Sequence, residues 1–244
     1  MKPFFAVFCI CLALSFVQMG CSSETEQIDI DYGFAYFPMD SGFWAIYSID
    51  SVIYSPFLTN GKDSIHVEVQ DLWTNRFVDN EGRPATRIER RVRQSPNESW
   101  ESITPFVWYA VRDSQRAEKM EGNLRYMNLV FPISEGKTWE GNIYLPIDPD
   151  QAQAFADWEY TYLETGVSQS VGNLDFPQTL SIVQSDYEDL VNKLYSVEKY
   201  AKNVGLIYKK QQILKAGNST SNLGWPDRTE TGYIVEMSVI DYKQ

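Results

Sequence analysis

Hydrophobic and polar residues alternate with a period of two along most of this chain. In Ser64–Trp73, Ile65, Val67 and Val69 alternate with His66, Glu68 and Gln70, the pattern of a strand with one buried face. The same reading predicts strands over Trp44–Phe57, Phe106–Arg112, Leu124–Phe131, Trp139–Leu145, Trp158–Glu164, Thr179–Gln184, Leu194–Lys199, Gly205–Leu214 and Tyr233–Tyr242. Asn60-Gly61, Asn80-Glu81-Gly82 and Glu121-Gly122-Asn123 punctuate these runs with residues that tolerate positive φ. Many short strands joined by turns predict a mainly β fold, an antiparallel sandwich or a half-open barrel. One short helix is expected, with Asp148 as its cap, Pro149 in its first turn and Asp150–Asp157 as its body. Ser185–Lys193 suits either a helical turn or a hairpin loop.

The start of the chain follows a different pattern. Residues 1–20 read as a secretory signal: Lys2, then the uncharged apolar run Phe4–Val17, then Gly20 before Cys21. That run is shorter than the roughly 20 apolar residues a spanning helix needs. A cysteine directly after the cleavage point resembles a bacterial lipoprotein, and the resemblance implies acyl chains on Cys21. Ser22 rather than Asp after that cysteine implies the outer membrane. Residues 21–33 then read as the acylated cysteine and a flexible acidic tether. Residues 34–244 read as a single β-rich domain.

Charge and cysteine usage remove several classes of function. The formal net charge of −12 disfavours nucleic acid, whose phosphates repel an acidic chain. Cys9 and Cys11 leave with the signal and Cys21 carries the acyl chains. The folded part therefore has no disulfide, no thiolate metal site and no thiol nucleophile.

Two motifs suggest a family. Phe37-Pro38-Met39-Asp40-Ser41-Gly42-Phe43-Trp44-Ala45-Ile46-Tyr47 has the form F-P-x-x-x-G-x-W-x-I-Y, and Tyr200-Ala201-Lys202-Asn203-Val204-Gly205-Leu206-Ile207 has the form Y-A-x-x-V-G-L-I. Together they resemble a broad group of Bacteroidota outer-membrane lipoproteins with an antiparallel β domain, in which the second motif is an extended strand. The resemblance implies an envelope location and brings no catalytic residue with it. Gly205, independently, reads as a bulge or a close backbone approach. Phe131-Pro132-Ile133-Ser134-Glu135-Gly136-Lys137-Thr138-Trp139, followed by Ile143-Tyr144, partly echoes the first motif.

The candidate chemistry is sparse. His66 is the single histidine and sits on a polar strand face, so a Ser-His-Asp triad or a multi-histidine metal site lacks its parts. Asp186, Glu188, Asp189 and the Asp148/Asp150 pair are the carboxylates that a glycosidase would need in pairs. Asp29 and Asp31 lack the further oxygen ligands of a Ca²⁺ loop. Arg87, Arg90, Arg91 and Arg93 form the one basic cluster, a possible anion patch. On a strand, Arg90 would point away from the other three. Ser51 and Ser64 stand in Asp-Ser-aliphatic triplets that match the O-glycosylation acceptor of Bacteroidota. Tyr32, Phe34, Tyr36, Phe37, Phe43, Trp44 and Tyr47 crowd together and suit core packing.

These features lead to the expectation of a lipid-anchored, non-enzymatic envelope domain without cofactor or metal. Its partner would be a protein or a surface glycan. The alternative is a carrier or sensor of a lipid or other apolar ligand in a barrel cavity. A deep cavity would favour the carrier, and a filled core with an exposed aromatic patch would favour the module.

Overall fold

The computed structural model describes residues 30–102, 108–145, 155, 158–217 and 222–243. The signal segment, Cys21 and the tether as far as Asp29 lie outside the described residues. So does the expected helix over Asp148–Asp157, apart from Phe155. The sheet belongs to one compact unit, Tyr32–Gln244.

Among the described residues thirteen strands follow one another: β1 (Trp44–Tyr54), β2 (Lys62–Val78), β3 (Pro84–Arg93), β4 (Glu101–Ser102), β5 (Trp108–Arg112), β6 (Arg116–Glu121), β7 (Leu124–Val130), β8 (Thr138–Glu140), β9 (Glu159–Val171), β10 (Leu174–Glu188), β11 (Asn192–Ala201), β12 (Gly205–Ala216) and β13 (Thr229–Lys243). They form one sheet in the order β7-β6-β5-β3-β2-β1-β13-β12-β11-β10-β9-β8, with β4 beside β3. The mainly antiparallel β reading is borne out, in its half-open barrel form. Two meanders build the sheet, and the pairing of β1 with β13 zips them together over the run from Trp44 opposite Lys243 to Tyr54 opposite Gly232. Hairpins are local and need little chain closure. The β1–β13 pairing is the non-local step.

The far edges, β7 and β8, face each other and share no ladder. One backbone hydrogen bond and two aromatic side chains close this seam instead. Met127 N–H donates to the Gly141 carbonyl at 2.9 Å, and the Trp139 indole Nε1–H donates to the Met127 carbonyl at 2.9 Å. The Tyr162 hydroxyl accepts from Val130 N–H at 3.0 Å and donates to the Val130 carbonyl at 2.9 Å. The Met127 carbonyl and both backbone groups of Val130, which a closed barrel would pair by strand, are thus satisfied by two aromatic side chains.

One end of the barrel is covered by the segment before β1. A 3₁₀ turn, Phe34–Tyr36, follows Gly33, whose φ of 85° is left-handed. Arg112 donates through Nη1 to the carbonyls of Phe34 (2.7 Å) and Phe37 (2.8 Å). Asn203 N–H donates to Ala35 O at 2.7 Å, and Thr86 Oγ1 donates to Met39 O at 2.9 Å. Tyr36, Phe37, Phe43 and Tyr47 are buried in the core, so the aromatic crowd near the mature start forms the plug and the layer above it.

Two local expectations change, one open choice is decided, and the repeat narrows. Trp139–Leu145 is not one strand: β8 ends at Glu140 and the chain turns through 141–145. A Cβ on Gly141 would sit 2.2 Å from Tyr160 Cε2, so the turn brings backbone against a ring at a distance only glycine permits. Tyr200–Ile207 is a hairpin rather than an extended strand: β11 ends, Asn203 adopts a φ of 62°, and β12 starts at Gly205 with a φ of 84°. Pro38 Cδ lies 3.2 Å from where a Gly205 Cβ would be, which is the close approach the sequence suggested. Of the two choices for Ser185–Lys193, the hairpin is the one observed: β10 runs to Glu188 and Asp189 holds the turn. The F-P-x-x-x-G echo is limited to the turn. Gly42 and Gly136 both have positive φ, but Trp44 opens a strand of 11 residues and Trp139 is the middle residue of one of 3.

Candidate functional site

Strand alternation places an unusual set of side chains inside the barrel. β11 turns Ser196, Glu198 and Tyr200 inward, with Glu198 only 2% exposed. β2 contributes Asp71, 1% exposed, and β3 contributes Arg90 opposite it. β6 adds Lys119 and Glu121, and β12 adds Lys209. Buried charges survive only when paired, and these are. Arg90 grips Asp71 through Nε at 2.6 Å and Nη2 at 2.7 Å. Lys119 Nζ lies 3.6 Å from Asp71 and 3.3 Å from Glu121. Lys209 Nζ donates to Glu198 Oε1 at 2.9 Å, and the Tyr200 hydroxyl donates to Glu198 Oε2 at 2.6 Å. The Trp108 ring covers the cations, 3.9 Å from the Arg90 guanidinium carbon.

Electrostatics in this belt follow the pairing. Burial opposes ionisation of Asp71, but Arg90 and Lys119 outweigh it and hold its carboxyl below the usual range. Burial likewise opposes ionisation of Glu198, and Lys209 and Tyr200 overcome it. Lys209 is raised by Glu198 and Glu121 against its own desolvation. The phenols remain neutral: burial pushes Tyr126 up to about 12 and raises Tyr160 and Tyr233 as well.

Two interior cavities adjoin the belt and share Glu121, Asn128, Glu198 and Lys209 in their walls. The first, about 180 Å³, has an apolar floor of Phe37, Ile49, Trp73, Ile88, Leu206 and Met237 below the charged wall. The second, about 130 Å³, is lined by Tyr126, Tyr160, Tyr233, Trp158, Gln184 and Gln211. Asn128 Oδ1, Trp73 Nε1 and Trp158 Nε1 are buried with no hydrogen-bond partner among the described residues. A larger groove of about 370 Å³ at the plugged end is lined by Asp175, Gln178, Lys202, Asn203 and Tyr242 and shares no residue with the belt.

The charged and polar candidates singled out from sequence fall elsewhere, with one exception among the described residues. Arg90 is the exception, inside the barrel on Asp71. Arg87 and Arg91 lie on the outer face beside Glu89, at 4.0 and 3.7 Å. Arg93 also faces out, held by Glu68 and stacked on Trp100 at 4.2 Å. The four arginines are therefore divided between two faces, each against a carboxylate. His66 is exposed and pairs with Asp50 at 2.8 Å, as a solvent-facing strand histidine. Ser51 and Ser64 sit on neighbouring strands, with Ser64 exposed and Ser51 half-buried. Asp189 accepts from Val191 N–H, Asn192 N–H and Tyr187 Oη–H, which lowers its carboxyl to about 2 and marks it as a turn residue. Cys21 lies outside the described residues, as do Asp29, Asp148 and Asp150. Among the described residues no group of His, Cys, Asp or Glu is arranged to hold a metal ion, and no helix is long and apolar enough to cross a membrane.

No protein-family model matches this chain, and no curated protein matches it. Solved structures similar to it include the following two. One, from Bacteroides fragilis, is described as an exported protein with a YmcC-like fold; it shares 10% identity at a TM-score of 0.41, over 85% of this chain and 98% of that one. The other, from Parabacteroides distasonis, is described as a lipoprotein; it shares 12% identity at a TM-score of 0.42, over 88% of this chain and 100% of that one.

Proposed function

We propose that this chain is a lipid-anchored cell-envelope protein that takes a small ligand into its barrel, as a carrier or sensor and without chemistry of its own. The observation that carries this reading is the pair of interior cavities whose shared wall holds buried charges and the unpartnered Asn128 Oδ1. An unpaired buried polar atom costs about 1–3 kcal/mol, and a bound ligand offsets that cost. The lining revises the ligand expected from sequence. A cavity of about 180 Å³ with one charged wall suits a small polar or amphiphilic molecule better than a lipid chain.

A surface that binds a protein or glycan partner is the second reading. Phe57 and Leu190 support it, being 96% and 84% exposed on hairpin loops. The other substantially exposed aromatics among the described residues, Tyr32, Phe77, Tyr144 and Tyr187, come from separate segments of the chain.

Native mass spectrometry of the full chain from its own membrane tests the ligand reading. Extra mass beyond polypeptide and acyl chains, lost on denaturation, is the expected result; the bare mass would favour the partner-binding surface. The anchor has a separate test. Cys21→Ala is expected to move the protein from the membrane fraction to the soluble one, because no acyl chain then holds it. Continued membrane attachment of the variant would remove the lipoprotein reading.

A further inference from the structure

We propose that the second cavity takes an uncharged, polyhydroxylated ligand of the size of one sugar ring. This rests on the reading of the barrel interior as a ligand site and adds the chemical class.

The charges decide what is excluded. Asp71, Glu121 and Glu198 pair with Arg90, Lys119 and Lys209 in the belt beside the two cavities, each acid with a basic partner within 3.6 Å. Among the described residues the belt thus pairs three acids with three bases and offers no spare counter-ion. An ionic ligand would enter a low-dielectric space without a partner, which is costly. An apolar ligand fails for the opposite reason, since it would bury more of this polar wall without satisfying it.

What remains is a neutral molecule rich in donors and acceptors. Asn128 Oδ1 is a buried acceptor without a partner, and Trp158 Nε1–H is a buried donor without one, among the described residues; both line this cavity. The other polar groups are already oriented by neighbours. The Tyr160 hydroxyl donates to Asn142 Oδ1 at 2.8 Å, the Tyr233 hydroxyl donates to Gln211 Oε1 at 3.0 Å, and Ser196 Oγ donates to Gln184 Oε1 at 2.7 Å. Each such phenol or amide keeps further bonding capacity for a hydroxyl. Aromatic faces among amides and hydroxyls match a ring that has C–H faces and O–H edges. The volume, about 130 Å³, is too small for a long acyl chain.

The test is calorimetric titration of the full chain, purified in a detergent that contains no sugar. Glucose, galactose and N-acetylglucosamine are the neutral probes, glucuronate and glucosamine the charged ones, and decanol the apolar one. The expected result is saturable binding of at least one neutral sugar, with charged rings at least about tenfold weaker. Trp158→Phe and Asn128→Leu remove the unpartnered atoms while keeping most of the packing. Each is expected to weaken binding about tenfold with the melting temperature held within a few degrees. If one variant fails to fold, the other carries the comparison.

Equal or tighter binding of a charged ring, or binding of decanol alone, overturns the ligand class and leaves the interior ligand site standing. Sugar binding unchanged in both variants overturns this cavity as its location. If no probe binds, the mass released in native spectrometry decides: a neutral hydroxylated molecule supports the proposal, and a charged or apolar one overturns it. A bare mass with no probe bound overturns the proposal and the ligand reading together.

Discussion

Replacing Asp71 by Leu is expected to cost about 3–5 kcal/mol of unfolding free energy, the range for breaking a buried ion pair on one side. Arg90 would lose the two bonds at 2.6 and 2.7 Å that justify a guanidinium inside the barrel. Lys119 is less affected because Glu121 remains 3.3 Å away. The double variant Asp71→Leu with Arg90→Met is expected to recover most of the loss, since it removes both charges and fills the space with apolar atoms. Urea unfolding of the three proteins reads both effects. A double variant as unstable as the single one would assign the loss to packing rather than charge. The effect also depends on pH with a definite sign. Asp71 is held below its ordinary value in the folded protein. Its pairing energy is therefore fully present above the unfolded carboxyl value of about 3.9 and disappears as the pH falls through the folded one. The gap between wild type and Asp71→Leu should narrow in acid and stay constant from pH 6 upward, to about pH 8.

Glu118→Ala is expected to be comparably damaging on the opposite face of the sheet, at about 3 kcal/mol. Glu118 is a fully buried carboxylate that meets three arginines: Arg83 Nη1 at 2.8 Å, Arg116 Nε at 2.7 Å and Arg125 Nη2 at 2.9 Å. Its removal leaves those cations converging on a cavity. The arginines are partly exposed, at 16–30% of their side chains, so water screens some of their repulsion and keeps the cost near the lower end of the range. Arg83 and Arg125 also retain Glu81. Glu118→Gln, which keeps the shape and one acceptor, should lose less. For a chain of this size, each kcal/mol moves the melting temperature by about 2–4 °C, so calorimetry separates the two variants. A Glu118→Ala protein that melts with the wild type would show that the arginines find other partners at no cost.

Glu198 and Arg90 show what a sequence pattern leaves undecided. In β11, Leu194-Tyr195-Ser196-Val197-Glu198-Lys199-Tyr200, period-two reading offers Tyr195 and Val197 as the core face. The fold buries Ser196, Glu198 and Tyr200 instead. The alternation is real, but its phase is set by what lies across the barrel, and Glu198 is tolerated inside because β12 brings Lys209 opposite it. The arginine cluster of β3 shows the same effect. Strand geometry alone separates Arg90 from Arg87, Arg91 and Arg93, yet only the pairing of β3 with β2 supplies Asp71 as the reason Arg90 can face inward.

Local chemistry was written in the chain itself. The strand period, the turns at Gly61, Gly82 and Gly122, and the close approach at Gly205 each depend on residues within a few positions of one another. So do the layout of the signal segment and the expectation for Cys21. The tertiary structure alone decided that β1 pairs with β13, that Trp139 and Tyr162 close the seam between β7 and β8, and that six charges meet around the cavities. Those contacts join residues far apart in sequence, and a carboxylate carries no mark of whether its cation will be a lysine on another strand or the solvent.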